Sequence, residues 1–531
     1  MFSFSLSNFK GFKELESMAL KPLTVICGPN NSGKSSIIQS LLLMKQSILG
    51  KSTASLEVGI QEPLILDGDE SALVHLGDWS DVIYKHKVDQ KMLFKWLLSK
   101  EINAEIQVEI ESINSPNQVS NELRVSRFQF KELNTPFSFE LTNPHQETYH
   151  LKLTSLSLPD LLSLWIYKKQ PAEIFDFKWI NTLFAQTIID EIHFRDIQVI
   201  FNGLFPYQVS GDFVKQSEET LLKVRKEQLN PKGKPEYLEF LDKTIAGSKN
   251  KKFNSNKTVD LTKTSYQLAI QSLKKWWLTF RYLGPVREAP KRHYVINKTG
   301  QTTIGSKGEY TSIVLAEEQE QLIPPYYWCI YDRKAIKKFE YRSSDRMLEA
   351  LNSWLSLMQL PQLIPTPVIE RTISQIKLDS TGVEVCLPDV GFGVSQILPI
   401  LVECLRTKEG ETIILEQPEI HLHPSLQSKL ADFLICMAKA SKKIIIETHS
   451  EHLIKRLYLR AAQEETDEIK NLLNTIFVQF DEQQQTSVTQ TIVTNEYGEI
   501  ENWPVGFFDE DDSRELVAAT LKKRMGKAKP K

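Results

Sequence analysis

Hydrophobic and polar residues alternate through the opening FSFSLSNF and then give way to the apolar run LTVICG, a pattern that predicts two strands framing a turn. After the glycine, SSIIQSLLLMKQSIL sets Ile37, Ile38, Leu41, Leu42, Leu43 and Ile48 at near-helical spacing, so a helix is expected there. From about Met92 to Leu158 alternation dominates, as in AEIQVEIES, SRFQFKEL, FSFELT and YHLKLTSLSL, broken by Asn, Pro and Ser turns. That stretch predicts an antiparallel β lobe. From about Pro159 to Lys275 helical spacing is expected, with a short helix between exposed loops in LNPKGKPEYLEFLDKTIAGSKNKKFNSNKTVD.

The patterning strengthens from RYLGPVREAP, Arg281 to Pro290, and above all from Thr381 to about Tyr458. A helix starting near Gly393 leads into the strand TIILE, a helix over SLQSKLADFLICMAKA, the strand KKIIIE and a helix over EHLIKRLYLR. Strands alternating with helices of this length predict a parallel sheet. The last part holds strand-like TIFVQFD and SVTQTIV, the turn EYGEIENWPVGFF and a basic end, read as a small appended unit.

Composition narrows the class without choosing a function. At 531 residues, two to four compact units are expected. Hydrophobic residues at 41% and charged ones at 25% are globular values and exclude a disordered, collagenous or membrane-spanning class. A net charge of −3 gives no global argument for nucleic acid; the Lys249, Lys251, Lys252 and Lys257 cluster and the basic tail leave local contact open. Cys27, Cys329, Cys386, Cys404 and Cys436 are scattered and unpaired in spacing, which argues against a disulfide framework or zinc site and fits a reducing cytosol. Neither a leader peptide nor a run of about 18 apolar residues is evident, so a cytoplasmic location without membrane association is expected.

Four constellations carry chemistry. GPNNSGKS, Gly28 to Ser35, lies between a buried-type strand and a helix. It is a complete Walker A pattern: glycines let the backbone wrap a phosphate chain, Lys34 reaches the terminal phosphates, and Ser35 can hold Mg²⁺. Gly28, Asn30, Asn31, Ser32, Gly33, Lys34, Ser35 and Ser36 are therefore candidate ATP-binding positions. In TIILEQPEIHLHP an apolar strand ends in Glu416, the place for a second Mg²⁺ ligand, followed by Gln417 and Glu419 as candidates for positioning water. His421 and His423 invite a metal reading, but with no cysteine nearby a loop-contact role is preferred. ETHSEHL puts His449 after the next strand, where it could donate to a γ-phosphate. DVGFGVSQILPILVEC offers Gly393, Ser395 and Gln396 at a helix start suited to a phosphate across an interface.

In this order, with a large insertion after the first, these motifs resemble the ABC-type ATPase heads of the RecF, SMC and OLD group. More narrowly, RYLGPVREAP, GFGVSQILP, EQPEIHLHP, IIETHSEHL and GEIENWPVGFFDE resemble bacterial AAA-family ATPases with a C-terminal DUF3696 region, similar to subunits of Septu and retron-associated anti-phage systems. The resemblance implies an α/β, ABC-type P-loop ATPase head split by a β plus helical lobe. The expected division is 1–84 and 280–475 for the head halves, 85–279 for the lobe and 476–531 for the DUF3696-like region. It also implies ATP and Mg²⁺ as cofactors, a head-to-head dimer or higher homo-oligomer, and a partner nuclease from the same operon. The alternative is a RecF-like ATPase acting directly on DNA. In ABC-type heads a glutamate normally occupies the place of Gln417, so slow hydrolysis is expected.

Overall fold

The computed structural model describes residues 2–49, 63–68, 72–98, 103–113, 122–134, 138–143, 148–157, 188–202, 204–211, 257–260, 265–295, 303–332, 335–365, 368–369, 373–495, 500–502 and 504. They fall into two compact units, one of residues 1–18 and 42–275 and the other of 19–41 and 276–531.

The first unit is built on a sheet of ten strands, a meander from Met92 onward with the two N-terminal strands added beside Met92–Leu98. From one edge these are Lys257–Asp260, Phe205–Gly211, Ile188–Asn202, Tyr149–Ser157, Ser138–Thr142, Glu122–Glu132, Ala104–Ile113, Met92–Leu98, Phe2–Phe9 and Phe12–Leu20. Met92–Leu98 is buried at every second residue, as a strand with one covered face requires. Phe94 and Trp96 stack at 6.0 Å on that sheet. The helical reading of 159–275 is corrected where the chain is described: 188–202, 205–211 and 257–260 are strands, and the helix is Ser265–Leu278. In the long strand, Phe194 faces Leu151 and Ile197 faces Tyr149, so a bulge inserts an extra residue and breaks the two-residue period that marks a strand. Lys249, Lys251 and Lys252 lie outside the described residues, and Lys257 opens the edge strand.

The second unit centres on a six-stranded sheet in the order Arg281–Leu283, Thr412–Glu416, Lys443–Glu447, Leu23–Cys27, Leu473–Asp481 and Thr486–Ile492. The first five run parallel and the last turns back antiparallel. Leu23–Cys27 and Thr412–Glu416 are buried at every residue, the signature of a parallel sheet covered on both faces. The strand of the first glycine motif thus lies between Lys443–Glu447 and Leu473–Asp481, and the C-terminal strands are part of this sheet.

Helices Phe392–Arg406, Pro424–Lys439 and Glu451–Gln463 supply much of the surrounding core. One cluster in it is ionic. Asp432, wholly buried, accepts from Arg456, Arg460 and the Tyr331 hydroxyl, tying two helices to the hairpin Tyr326–Asp332/Ala335–Arg342. Burial alone would raise the Asp432 pKa, but hydrogen bonds from Arg460 and Arg456 outweigh it and hold the carboxyl below its ordinary value. Arg460 is itself 1% exposed, and its bonds to that acid stand in for the hydration it has lost. Asp432→Ala is expected to cost about 3–5 kcal/mol by stranding a buried guanidinium, read as a lower urea midpoint. A midpoint equal to wild type would show that the cluster contributes nothing net.

Candidate functional site

Every residue of the strand Leu23–Cys27 is buried, and the chain leaves it through Gly28 at φ +141°. A Cβ at Gly28 would lie 2.0 Å from the Val478 carbonyl oxygen, so glycine is required by both conformation and space. Asn31 at φ +60° and Gly33 at φ +103° continue the curl into the helix Lys34–Leu49. The free amides and dipole of such a helix start favour a phosphate. Lys34, 4% exposed, donates from Nζ to the Pro29 carbonyl across the loop at 2.6 Å. Burial lowers its pKa, opposed by Glu447.

Opposite this loop the parallel strands deliver acids. Glu416 and Glu447 are register partners at the ends of adjacent strands. The Ser35 hydroxyl donates to Glu447 Oε1 at 2.9 Å, and the Tyr282 hydroxyl donates to Glu416 Oε1 at 2.9 Å. Arg287 Nη2 donates to the Glu416 carbonyl oxygen at 3.3 Å. The chain then turns: Gln417 sits at φ +44°, its amide donating to the Glu447 carbonyl at 2.7 Å, and Glu419 Oε1 accepts from the His449 amide at 2.7 Å. Glu416, Gln417, Glu419 and His449 are therefore brought to the same strand ends as the glycine loop.

The electrostatics follow from burial. The Glu416 pKa is pushed up to about 7 by burial and then by Glu447, while burial also raises Glu447 and Glu419. Arg287 is lowered to about 10 by burial despite Tyr282, Glu416 and Glu419 around it. The exposed His449 ring is lowered by burial of part of its surface and by Lys34. Several buried polar atoms here have no hydrogen-bond partner among the described residues: Ser32 Oγ, Glu419 Oε2, Glu447 Oε2, and Arg287 Nε and Nη1. Such a set calls for an outside ligand that donates and accepts at once.

Among the described residues no hydrogen bond joins the second glycine motif to this set. Ser395 and Gln396 are buried in the first turns of Phe392–Arg406, and the Ser395 hydroxyl returns to the Phe392 carbonyl at 2.8 Å. Gly391 and Phe392 are the exposed positions there, with Gly393 half-buried. His423 caps the next helix, its Nδ1 accepting from the Ser425 amide, while His421 lies 6.0 Å from the Phe392 ring. Among the described residues there is no cluster of three or more His, Cys, Asp or Glu built to hold a metal alone. The residues at the strand ends nevertheless fit Mg²⁺, which takes one or two carboxylates and a hydroxyl and completes its shell from water and phosphate. Ser35 with Glu447, and Glu416 beside them, are the available donors.

Tyr282, Arg287 and Glu447 were not selected from the sequence. For Glu447 the signal was present, since KKIIIE ends in an acid as TIILE does. Tyr282 lies in, and Arg287 follows, a strand of only three residues, too short to show periodicity.

The family described as an AAA ATPase domain matches residues 1–454, and the chain belongs to it. The family described as a protein of unknown function, DUF3696, matches residues 476–515. No curated protein sequence matches. Among solved structures, an SMC head domain from Thermotoga maritima is 10% identical with a TM-score of 0.32, over 93% of this chain and 98% of that one. An SMC head bound to the C-terminal winged-helix domain of ScpA is 11% identical, TM-score 0.31, over 92% and 96%. The second unit is a mixed α/β fold with a central, mostly parallel sheet, and ATPase activity is that of the family.

A carboxyl whose pKa is raised by folding binds its proton more tightly in the folded state, so stability falls as pH climbs from its ordinary 4.5 to about 7. Glu416→Gln keeps an acceptor for Tyr282 and removes that anion. Without nucleotide it should stabilise the protein by about 1–3 kcal/mol at pH 8 and by almost nothing at pH 5. Equal stability of variant and wild type at pH 8 would show that Glu416 carries no buried charge.

Proposed function

We propose that the chain is a nucleotide-gated switch: a slowly hydrolysing ATPase that closes as a homodimer around ATP and thereby controls a separately encoded effector nuclease in anti-phage defence. The observation that carries the ATP-clamp part is the meeting of Lys34, Ser35, Glu416 and Glu447 at the strand ends, with a glutamine immediately after Glu416. The effector and the defence role rest on the resemblance of the motifs alone. A RecF-like role on DNA is the outcome if the isolated protein binds plain duplex with strong salt dependence.

The roles follow from chemistry. Lys34 exchanges the Pro29 carbonyl for phosphate oxygens, and the amides from Gly28 to Ser36 surround the remaining phosphates. Ser35, Glu416 and Glu447 are the residues that would hold Mg²⁺, which when bound would supply positive charge to offset the phosphates. Gln417 orients the attacking water but cannot accept its proton. Glu419 holds the His449 backbone in place with one carboxylate oxygen, which makes it a positioning residue first. His449 leaves an exposed ring next to Lys34 for the terminal phosphate. Gly391 and Phe392 are exposed where the helix that carries Gly393, Ser395 and Gln396 begins, and this helix start would face the nucleotide of a second copy.

Lys34→Ala is expected to abolish ATP binding, measured by titration with a fluorescent nucleotide; full retention would remove the assignment of the glycine loop. Steady-state phosphate release tests the base. A slow wild type, a Gln417→Glu variant faster by up to about 10²–10⁴-fold, and a Glu419→Gln variant close to wild type are expected. A fast wild type disabled by Glu419→Gln would transfer the base to Glu419. Ser395→Arg should leave binding by one head near normal and prevent ATP-driven dimerisation in sedimentation. Dimerisation as in wild type would remove the sandwich.

A further inference from the structure

Arg287 is a cation stored at the wrong price for a purely structural residue. It is 7% exposed, yet two of its three guanidinium nitrogens, Nε and Nη1, have no acceptor among the described residues. The third makes one long contact, 3.3 Å, to the carbonyl oxygen of Glu416. A buried guanidinium normally recovers its lost hydration through several charge-assisted hydrogen bonds, as Arg460 does with Asp432 in the same unit. Arg287 does not, although Glu416 and Glu419 are near enough to act on it electrostatically. Its free N–H groups and the free Ser32 Oγ belong to the set of unpartnered buried atoms at the strand ends.

We infer that Arg287 reads the terminal phosphate of the bound nucleoside triphosphate within its own head, and so sets preference for ATP over ADP. This rests on the nucleotide site proposed above. The missing partner has to be anionic, because a neutral acceptor would leave a desolvated cation under-compensated. Among the described residues no acceptor reaches Nε or Nη1. A phosphoryl oxygen arriving with the nucleotide is an anionic acceptor of that kind, and the planar donor set of arginine suits it better than a lysine would. Position agrees. Arg287 follows the strand Arg281–Leu283, which pairs parallel with the Glu416 strand, so the residue emerges at the end of the sheet where Glu416, Glu447 and the glycine loop meet. Tyr282 on that strand holds the Glu416 carboxyl while Arg287 holds the Glu416 backbone, leaving the guanidinium's other edges free.

A structural role through Glu416 is the competing explanation, and it makes a different forecast. If Arg287 only keeps Glu416 placed for Mg²⁺, its loss matters only when the metal is present. Affinities for ATP and ADP are therefore measured by calorimetry on wild type, Arg287→Ala, Arg287→Lys and Lys34→Ala, each with Mg²⁺ and with EDTA. Circular dichroism melting confirms folding. The expected result is that Arg287→Ala weakens ATP by about tenfold or more in both conditions, leaves ADP within about twofold, and that Arg287→Lys recovers part of the loss. Loss confined to Mg²⁺, equal loss for ATP and ADP, or no loss overturns the inference. If Arg287→Ala does not fold, Arg287→Lys decides alone: an ATP-specific loss in EDTA supports the reading, and unchanged ATP-to-ADP preference overturns it. Lys34→Ala separates the two levels. Nucleotide binding that survives it removes the site itself, whereas a Lys34-dependent site with no ATP-specific Arg287 effect removes only the role of Arg287.

Discussion

Desolvation of carboxylates at the ends of parallel strands is the constraint on which the site depends. Strands buried on both faces deliver Glu416 and Glu447 side by side where little water reaches, and Glu419 follows one turn later. Each acid resists ionisation there, and the protein answers with single donors: Tyr282, Ser35 and the His449 amide. The cations Lys34 and Arg287 are close but incompletely bonded. A buried polar network gains more from each added partner than the same groups would gain at a surface. Ligand binding thereby stabilises the fold as well as filling the site.

The C-terminal segment takes part in shaping that site. Leu473–Asp481 pairs directly with the strand that leads into Gly28, and the Val478 carbonyl occupies the space a side chain at Gly28 would need. The Cys27 thiol adds a contact to the Ile476 carbonyl at 3.6 Å. The region matched as DUF3696 begins inside this strand, at residue 476. Removing it would expose an edge of the central sheet beside the phosphate loop, so this segment is part of the ATPase fold in energetic terms.

What could be read from the chain was whatever local backbone demands dictate. GPNNSGKS declares itself because each glycine answers a positive φ or a close approach, and TIILE and KKIIIE because strands covered on both faces must be continuously apolar. The pairing of Ser35 with Glu447 was not legible: it spans 412 positions and exists only because Lys443–Glu447 lies between the Glu416 strand and the loop strand. Strand order is a property of the sheet, and no spacing along the chain encodes it. The strand Ile188–Asn202 was misread for a more local reason. Its bulge makes the step from Phe194 to Ile197 three residues where the partner strand steps two, from Leu151 to Tyr149, and an interval of three is helix-like.

Gln417 brings folding and chemistry to the same residue. Its φ of +44° is costly for a residue with a long side chain, and it persists because the Gln417 amide is bonded to the Glu447 carbonyl and its own carbonyl accepts from Ile420. Those bonds involve main chain only. Glutamate and glutamine have the same shape and nearly the same backbone preferences, so the turn does not distinguish them. What does distinguish them is charge: a glutamate at 417 would join Glu416, Glu419 and Glu447 in a pocket where burial already pushes all three pKa values upward. A neutral amide avoids that fourth charge and gives up a proton acceptor in return. Under the clamp reading the two consequences point the same way, toward a site that tolerates prolonged closure around ATP.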